Sequence, residues 1–269
     1  MYKVIVLDLD GTLTNSKKEI TKRTKEALLK AQEQGVKVVL ASGRPTQGIV
    51  ALADELELET YGGYILSFNG ARIIDYKTKE IVFQQTLPTE WIPTLIDLAK
   101  QYEIEFLTYE DDSILASDIT SQYVEIESRI NKMNVRQMKN PTEEITFEIP
   151  KILMVGDGDY MATVEPKVQE ATKGVLSVYR SEPYFLEVMP KGVDKATSLA
   201  RLLEELKLTK EEMIACGDGF NDLSMIQFAG LGVAMENAQP IVKEHADYIT
   251  TSNDEDGVAK VVEKFILNE

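Results

Sequence analysis

The run Val4-Ile5-Val6-Leu7-Asp8-Leu9-Asp10-Gly11-Thr12 ends a short apolar stretch in two carboxylates. Asp8 and Asp10 are two apart, so in an extended segment they leave the same face while Leu9 points the other way. One could attack an electrophile while the other delivers or removes a proton; alternatively both could hold a hard cation through oxygen. Gly11 lets the chain turn tightly and leaves backbone amides available. A strand end followed by a polar turn would look the same on this segment alone.

Three further clusters carry similar chemistry. Val38-Val39-Leu40-Ala41 runs into Ser42-Gly43-Arg44-Pro45. Ser42 can donate a hydroxyl proton, the amides around Gly43 can bind an anion at a helix start, and Arg44 adds charge or reaches toward a ligand. A helix cap with Pro45 early in the helix is the structural alternative. In Cys216-Gly217-Asp218-Gly219-Phe220-Asn221-Asp222, Asp218 and Asp222 can face one cavity if the turn coils into a helix. Asn221 could offer its amide to an oxygen or cap that helix. Oxygen ligands without His or Cys suit Mg²⁺, and Cys216 reads as a buried strand residue. Lys195 opens a helix, where it gains nothing from the dipole, so an anion accounts for its position better than helix stability does. Lys191 is the competing anion contact, and a solvated lysine is the alternative to both.

These residues need elements to hold them. Lys3–Leu9, a helix over 21–34, Val36–Ala41, a helix over 45–56 and Tyr64–Phe68 alternate as βαβαβ, and residues 72–83 read as a hairpin. After Pro190 the alternation returns: helix 194–206, strand 213–216, helix 221–229, strand 231–235, then short elements near 240–244, 248–249 and 257–265. The middle has another texture, with strands near 104–109, 114–116, 151–155, 175–181 and 184–188 among helices near 90–102, from 120 and over 162–173. The fold class is therefore α/β. A Rossmann-like parallel core over 1–83 and 186–269 is interrupted by an inserted α+β domain over 84–185, with Pro88 and Pro190 near its edges.

At 269 residues the chain is long enough for one large domain or two smaller ones, and 43% hydrophobic content suits ordinary cores. A net charge of −16 with no Lys/Arg-rich run argues against nucleic-acid and anionic-membrane partners. No apolar run approaches about 20 residues, and Met1-Tyr2-Lys3 leads directly into the first strand. The single cysteine cannot form an internal disulfide, which points to a reduced, cytoplasmic setting. Oligomeric state is not readable from these features.

Together the clusters supply a carboxylate nucleophile, a second carboxyl group, a hydroxyl and a lysine for anionic charge, and more carboxylates for a cation. Phosphoryl transfer through an aspartyl phosphate uses that whole inventory. The only histidine, His245, lies in a helix-to-strand turn, so no serine-hydrolase triad is easily built. Neither a Walker A run nor a strand-linked GxGxxG is present.

In order and context, Asp8-Leu9-Asp10-Gly11-Thr12, Ser42-Gly43-Arg44, Lys195 and Gly217-Asp218-Gly219-Phe220-Asn221-Asp222 resemble the haloacid dehalogenase-like superfamily. The resemblance is to its Cof-type phosphatases with a large α/β cap inserted after the third core strand. It covers essentially the whole chain, including Ser67-Phe68-Asn69-Gly70-Ala71 and Asn253-Asp254-Glu255-Asp256-Gly257-Val258-Ala259. It implies that Asp8 attacks phosphorus while a protonated Asp10 gives its proton to the leaving oxygen and then activates water. It also implies Mg²⁺ held by Asp8, the Asp10 carbonyl and Asp218, with Asp222 ordering the metal shell. Ser42, Gly43, Asn221 and Lys195 would hold the transferring oxygens, and Arg44 would look toward the cap or the leaving group.

The expected substrate is a small phosphate monoester, with sugar phosphates first and flavin or cofactor phosphates next, covered by the cap during turnover. Phosphomutase or phosphotransferase activity on the same fold, and a regulatory binding role without turnover, are the alternatives. Asn69, Asn253 and Asp256 are possible substrate-side residues. Asn69-Gly70 is equally a turn, and the late pair could equally form polar turns and a cap at Gly257.

Overall fold

The computed structural model describes residues 1–269. Its fourteen strands, in chain order, begin with β1 Val4–Leu7, β2 Lys37–Ala41, β3 Tyr64–Ser67, β4 Arg72–Asp75 and β5 Ile81–Gln84. There follow β6 Glu105–Glu110, β7 Ser113–Ala116, β8 Asn134–Gln137, β9 Ile152–Val155, β10 Leu176–Glu182 and β11 Phe185–Pro190. The last are β12 Met213–Gly217, β13 Leu231–Ala234 and β14 Tyr248–Ile249. The chain forms two compact units, Met1–Phe83 with Asp194–Glu269 and Gln84–Val193.

In the first unit the strand order is β14-β13-β12-β1-β2-β3-β4-β5. From β14 to β3 the pairs are parallel, and β4 turns antiparallel to β3, so the sheet is parallel except at the edge carrying the hairpin. β1, β2 and β3 are almost wholly apolar and buried on both faces, as strands covered by helices on both sides must be. Alternation divides their side chains between two cores. Ile5, Leu7, Val38 and Leu40 join the cluster containing Leu28 and Val262, whereas Val4, Val6 and Val39 join Leu199, Leu202 and Leu203. The helix Lys195–Leu206 therefore covers one face, and Lys22–Glu33 with Gly257–Val262 covers the other.

Strand ends gather the polar residues. β1, β2 and β12 are neighbours and parallel, so the segments after Leu7, Ala41 and Gly217 emerge at one edge. That crevice outside the C-terminal ends of parallel strands is where open α/β sheets collect chemistry.

The second unit is a mixed sheet ordered β10-β11-β9-β6-β7-β8. Helices Ile92–Gln101 and Gly158–Ala171 bury Leu95, Ile96, Met161 and Val164 against Phe106, Met154 and Leu186. The sequence ends this block at 185, but β11 lies between β10 and β9 and pairs with both, so the unit runs to Val193. Every residue of β11 is buried, and Pro190 is its last residue rather than a linker.

The helix Leu58–Tyr61, β8 and the turn of helix Pro141–Glu144 escape the sequence pattern. β8 reads Asn-Val-Arg-Gln, with one apolar residue, and is held by parallel pairing to β7 at the sheet edge. The helix placed at 162–173 starts at Gly158, because the Asp157 carboxylate caps it from Asp159 N and Tyr160 N at 3.1 Å each. No helix is long and apolar enough to cross a membrane.

Candidate active site

The alternation of β1 carries past its end. Leu9 packs with Ile5 and Leu7, so Asp8 faces the side covered by the helix that begins at Lys195. Asp194 caps that helix, its carboxylate accepting from Thr197 N at 2.9 Å, which places Lys195 at the first helical position. The Lys195 ammonium is fully buried and donates to Asp8 Oδ1 at 2.7 Å, Asp222 Oδ1 at 2.6 Å and the Ala41 carbonyl at 2.8 Å. Its three protons thus have three acceptors, and burial, which would favour the neutral amine, is outweighed by the two carboxylates.

Both oxygens of Asp222 are engaged by the protein. Oδ1 takes Lys195, and Oδ2 accepts from Asp218 N at 3.0 Å and Gly219 N at 2.8 Å. A Cβ on Gly217 would crowd its side chain, so that glycine lets Asp222 fold back against the strand end. Asp218 Oδ1 accepts from Thr12 Oγ1 at 2.8 Å. Gly11 has φ +87°, and a Cβ there would collide with the Asp218 carboxylate. This glycine therefore satisfies both a left-handed backbone and a close approach.

The carboxylates of Asp8, Asp218 and Asp222 offer oxygens within 4.8 Å of one another. Asp8 and Asp218 each spend one oxygen on a protein donor and leave the other for a ligand. Three carboxylates face one ammonium. Burial, followed by repulsion from Asp222, pushes the Asp8 carboxyl up to about 8 despite Lys195. Burial likewise pushes Asp218 up to about 6, against the hydrogen bond from Thr12. All-oxygen donors with uncompensated negative charge fit a small hard divalent cation such as Mg²⁺.

Asp10 lives in a different environment. Arg44 grips it with Nε on Oδ2 at 2.8 Å and an NH2 on Oδ1 at 2.7 Å, while Lys18 Nζ reaches Oδ1 at 2.7 Å. Burial would raise its pKa, but Arg44 and then Lys18 outweigh that and hold the carboxyl below the usual range. The sequence expects a protonated Asp10 for the first half-reaction; in this arrangement it is an ionised, doubly paired carboxylate.

Ser42 is buried, with Oγ accepting from Arg44 N at 3.2 Å and its carbonyl accepting from Asn69 N at 2.9 Å. Asn221 Nδ2 donates to Asn69 Oδ1 at 3.1 Å, and a Cβ on Gly43 would stand 3.2 Å from the Asn69 amide. Ser42, Gly43, Asn69 and Asn221 are thus brought together. Asn253 and Asp256 are not: Asn253 Nδ2 donates to the Thr14 carbonyl at 2.8 Å, and Asp256 Oδ1 accepts from Thr21 Oγ1 at 2.6 Å.

Lys191 donates to the Gly174 carbonyl at 3.4 Å within the second unit. His245 Nδ1 pairs with the Ile241 carbonyl at 2.9 Å, and Cys216 is a buried thiol pushed up to about 12 by desolvation. Sequence reasoning missed Lys18 and Asn237 and gave Thr12 no role. Thr12 stood inside the acidic run. Lys18 carries no signal, because an Asn15 turn with Lys18 at φ 63° aims it back at Asp10.

A family model described as haloacid dehalogenase-like hydrolase matches residues 5–262. The 5-amino-6-(5-phospho-D-ribitylamino)uracil phosphatase YcsE of Bacillus subtilis is 34% identical over 266 residues, covering 98% of this chain and 96% of that protein. A solved haloacid dehalogenase-like hydrolase from Bacteroides thetaiotaomicron superposes with a TM-score of 0.95 at 52% identity, covering 98% of this chain and 99% of that one. The subclass IIB sugar phosphatase BT4131 superposes with a TM-score of 0.81 at 26% identity, covering 98% of each chain.

Proposed function

The chain belongs to the haloacid dehalogenase-like hydrolases, and from that premise we propose a Mg²⁺-dependent phosphatase acting on small phosphate monoesters through an aspartyl phosphate on Asp8. The observation that carries this reading is the buried Lys195 ammonium shared between Asp8 and Asp222 beside Asp218. It presents Asp8 with one engaged and one available oxygen at a strand end.

Asp8 and Asp218, with the Asp10 carbonyl, would hold the cation, whose charge lowers the repulsion between an anionic nucleophile and an anionic phosphoryl group. Asp8 attacks phosphorus, the P–O bond to the leaving group breaks, and Asp10 gives its proton to the departing oxygen. Asp10 then takes a proton from the water that attacks the aspartyl phosphate, releasing inorganic phosphate and restoring Asp8. For the first step Asp10 must exchange Arg44 and Lys18 for a proton, so both cations are free to turn to the leaving group. Ser42, the Gly43 amide and Asn221 bind phosphoryl oxygens, Lys195 orients Asp8, and the cation would favour its ionised form over the raised pKa of the metal-free site. Asn69 supports this set by orienting Asn221.

Sugar phosphates are the first substrate class we propose, with BT4131 as the supporting relative. The likeness to YcsE favours a ribitylaminouracil phosphate as a second. The test is inorganic phosphate release from sugar, nucleotide and cofactor monophosphates with Mg²⁺. Release that disappears with EDTA and in Asp8→Asn is expected; release that persists in either control would overturn the reading.

A further inference from the structure

The run Asn253-Asp254-Glu255-Asp256 takes no part in the reaction as drawn, yet its side chains reach the segment that follows Asp10. Asn253 Nδ2 donates to the Thr14 carbonyl at 2.8 Å, Asp254 Oδ1 accepts from Ser16 N at 2.8 Å, and Asp256 Oδ1 accepts from Thr21 Oγ1 at 2.6 Å. Thr14 is itself bridged to Asp10. Asn237, in the turn after β13, donates to the Gly11 carbonyl at 2.8 Å and accepts from Asn253 N at 3.0 Å. Gly11 is the residue next to Asp10.

The same turn grips the other acidic loop. Met235 N donates to the Gly217 carbonyl at 3.1 Å and Gln239 N to the Asp218 carbonyl at 2.9 Å. One turn, 235–239, therefore anchors the backbone on both sides of the carboxylate cluster. The amide is the right group for the relay. Asn237 uses its donor on one carbonyl and its acceptor on one N–H, and neither amide adds charge beside the carboxylates. A carboxylate in its place would face the Gly11 carbonyl with no proton to share.

We propose that Asn237 and Asn253 are positioning residues for Asp10: their amide relay sets the loop from Gly11 to Thr14 and so fixes where the proton is delivered. This rests on Asp10 acting as the general acid, which the experiment tests separately. A misplaced acid handicaps poor leaving groups and spares activated ones, whereas general loss of structure lowers both alike.

The measurement is kcat/KM of the full-length enzyme with Mg²⁺ for phenyl phosphate and p-nitrophenyl phosphate, two substrates of similar shape and different leaving-group basicity. Their ratio is independent of how much of each variant is folded. In Asn237→Ala and Asn253→Ala the ratio of phenyl to p-nitrophenyl phosphate should fall about tenfold or more, toward the value set by Asp10→Asn. Asn253→Asp, which keeps the volume and loses the donor to Thr14, should shift it the same way. An unchanged ratio in the asparagine variants while Asp10→Asn shifts it would overturn the relay. An unchanged ratio in Asp10→Asn itself would overturn the acid role on which it rests.

Discussion

Lys195 Nζ stands 2.7 Å from Asp8 Oδ1 across 187 residues of sequence, fully buried and within 2.6 Å of Asp222 as well. A charge so placed is worth little to helix Lys195–Leu206 and a great deal to the carboxylates it joins.

Removing that ammonium leaves buried acids facing each other. Lys195→Met should destabilise the protein by about 3–5 kcal/mol at neutral pH, read from urea unfolding. The loss should shrink at low pH, where the Asp8 carboxyl is neutral and no longer needs a compensating charge. A variant as stable as the parent at neutral pH would show that the pair carries no such charge.

Asp8→Asn should cut phosphate release by on the order of 10⁴-fold or more while the fold persists, since it removes the proposed nucleophile and keeps the shape. Comparable melting curves alongside retained turnover would rule out covalent attack by Asp8.

Metal and proton compete at the cluster. Asp8 is raised to about 8 and Asp218 to about 6 in the folded chain, above ordinary aspartates. Their stabilising protonation is complete below the unfolded pKa and is lost as pH rises through those values. Without metal the protein should therefore weaken between about pH 4 and 8. Mg²⁺ should raise the melting temperature more at pH 8 than at pH 5.5, because fewer protons must leave. Equal gains at both pH values would contradict the linkage.

Lys18→Met should raise the pKa of Asp10 toward that of an ordinary aspartate, because one of its two cationic partners is gone. Carbon NMR of the Asp10 carboxyl across pH reads the shift directly. No movement would mean that Arg44 alone sets the group.

Gly11→Ala should impair both folding and metal binding. It places a side chain at φ +87° and against the Asp218 carboxylate, where the backbone strain alone costs about 1–2 kcal/mol. The readouts are thermal melting and Mg²⁺ titration. Normal metal affinity in a less stable protein would assign Gly11 to the turn alone.

Much of the sheet was legible from local pattern. The runs feeding Asp8, Ser42 and Asp218 are short, apolar and followed by small or acidic residues, and they became β1, β2 and β12 with ends within two residues. β8, with one apolar residue, was not, because edge pairing rather than burial holds it. The end of the inserted unit was misplaced for a related reason: a short, mostly apolar run such as Phe185–Pro190 fits either sheet, and only its partners decide.

By itself the sequence determined which residues could do chemistry, since residue type and strand-end position follow from local physics. What only the tertiary structure decided is how each carboxylate is held. Asp222 is held by Lys195 and two backbone amides, while Asp10 is paired with Arg44 and Lys18. Asn253 and Asp256 were delivered to Thr14 and Thr21 rather than to the cluster. Such contacts depend on where distant loops meet, and hydrogen bonds a few ångströms long between residues hundreds apart leave no periodic trace in the chain that makes them.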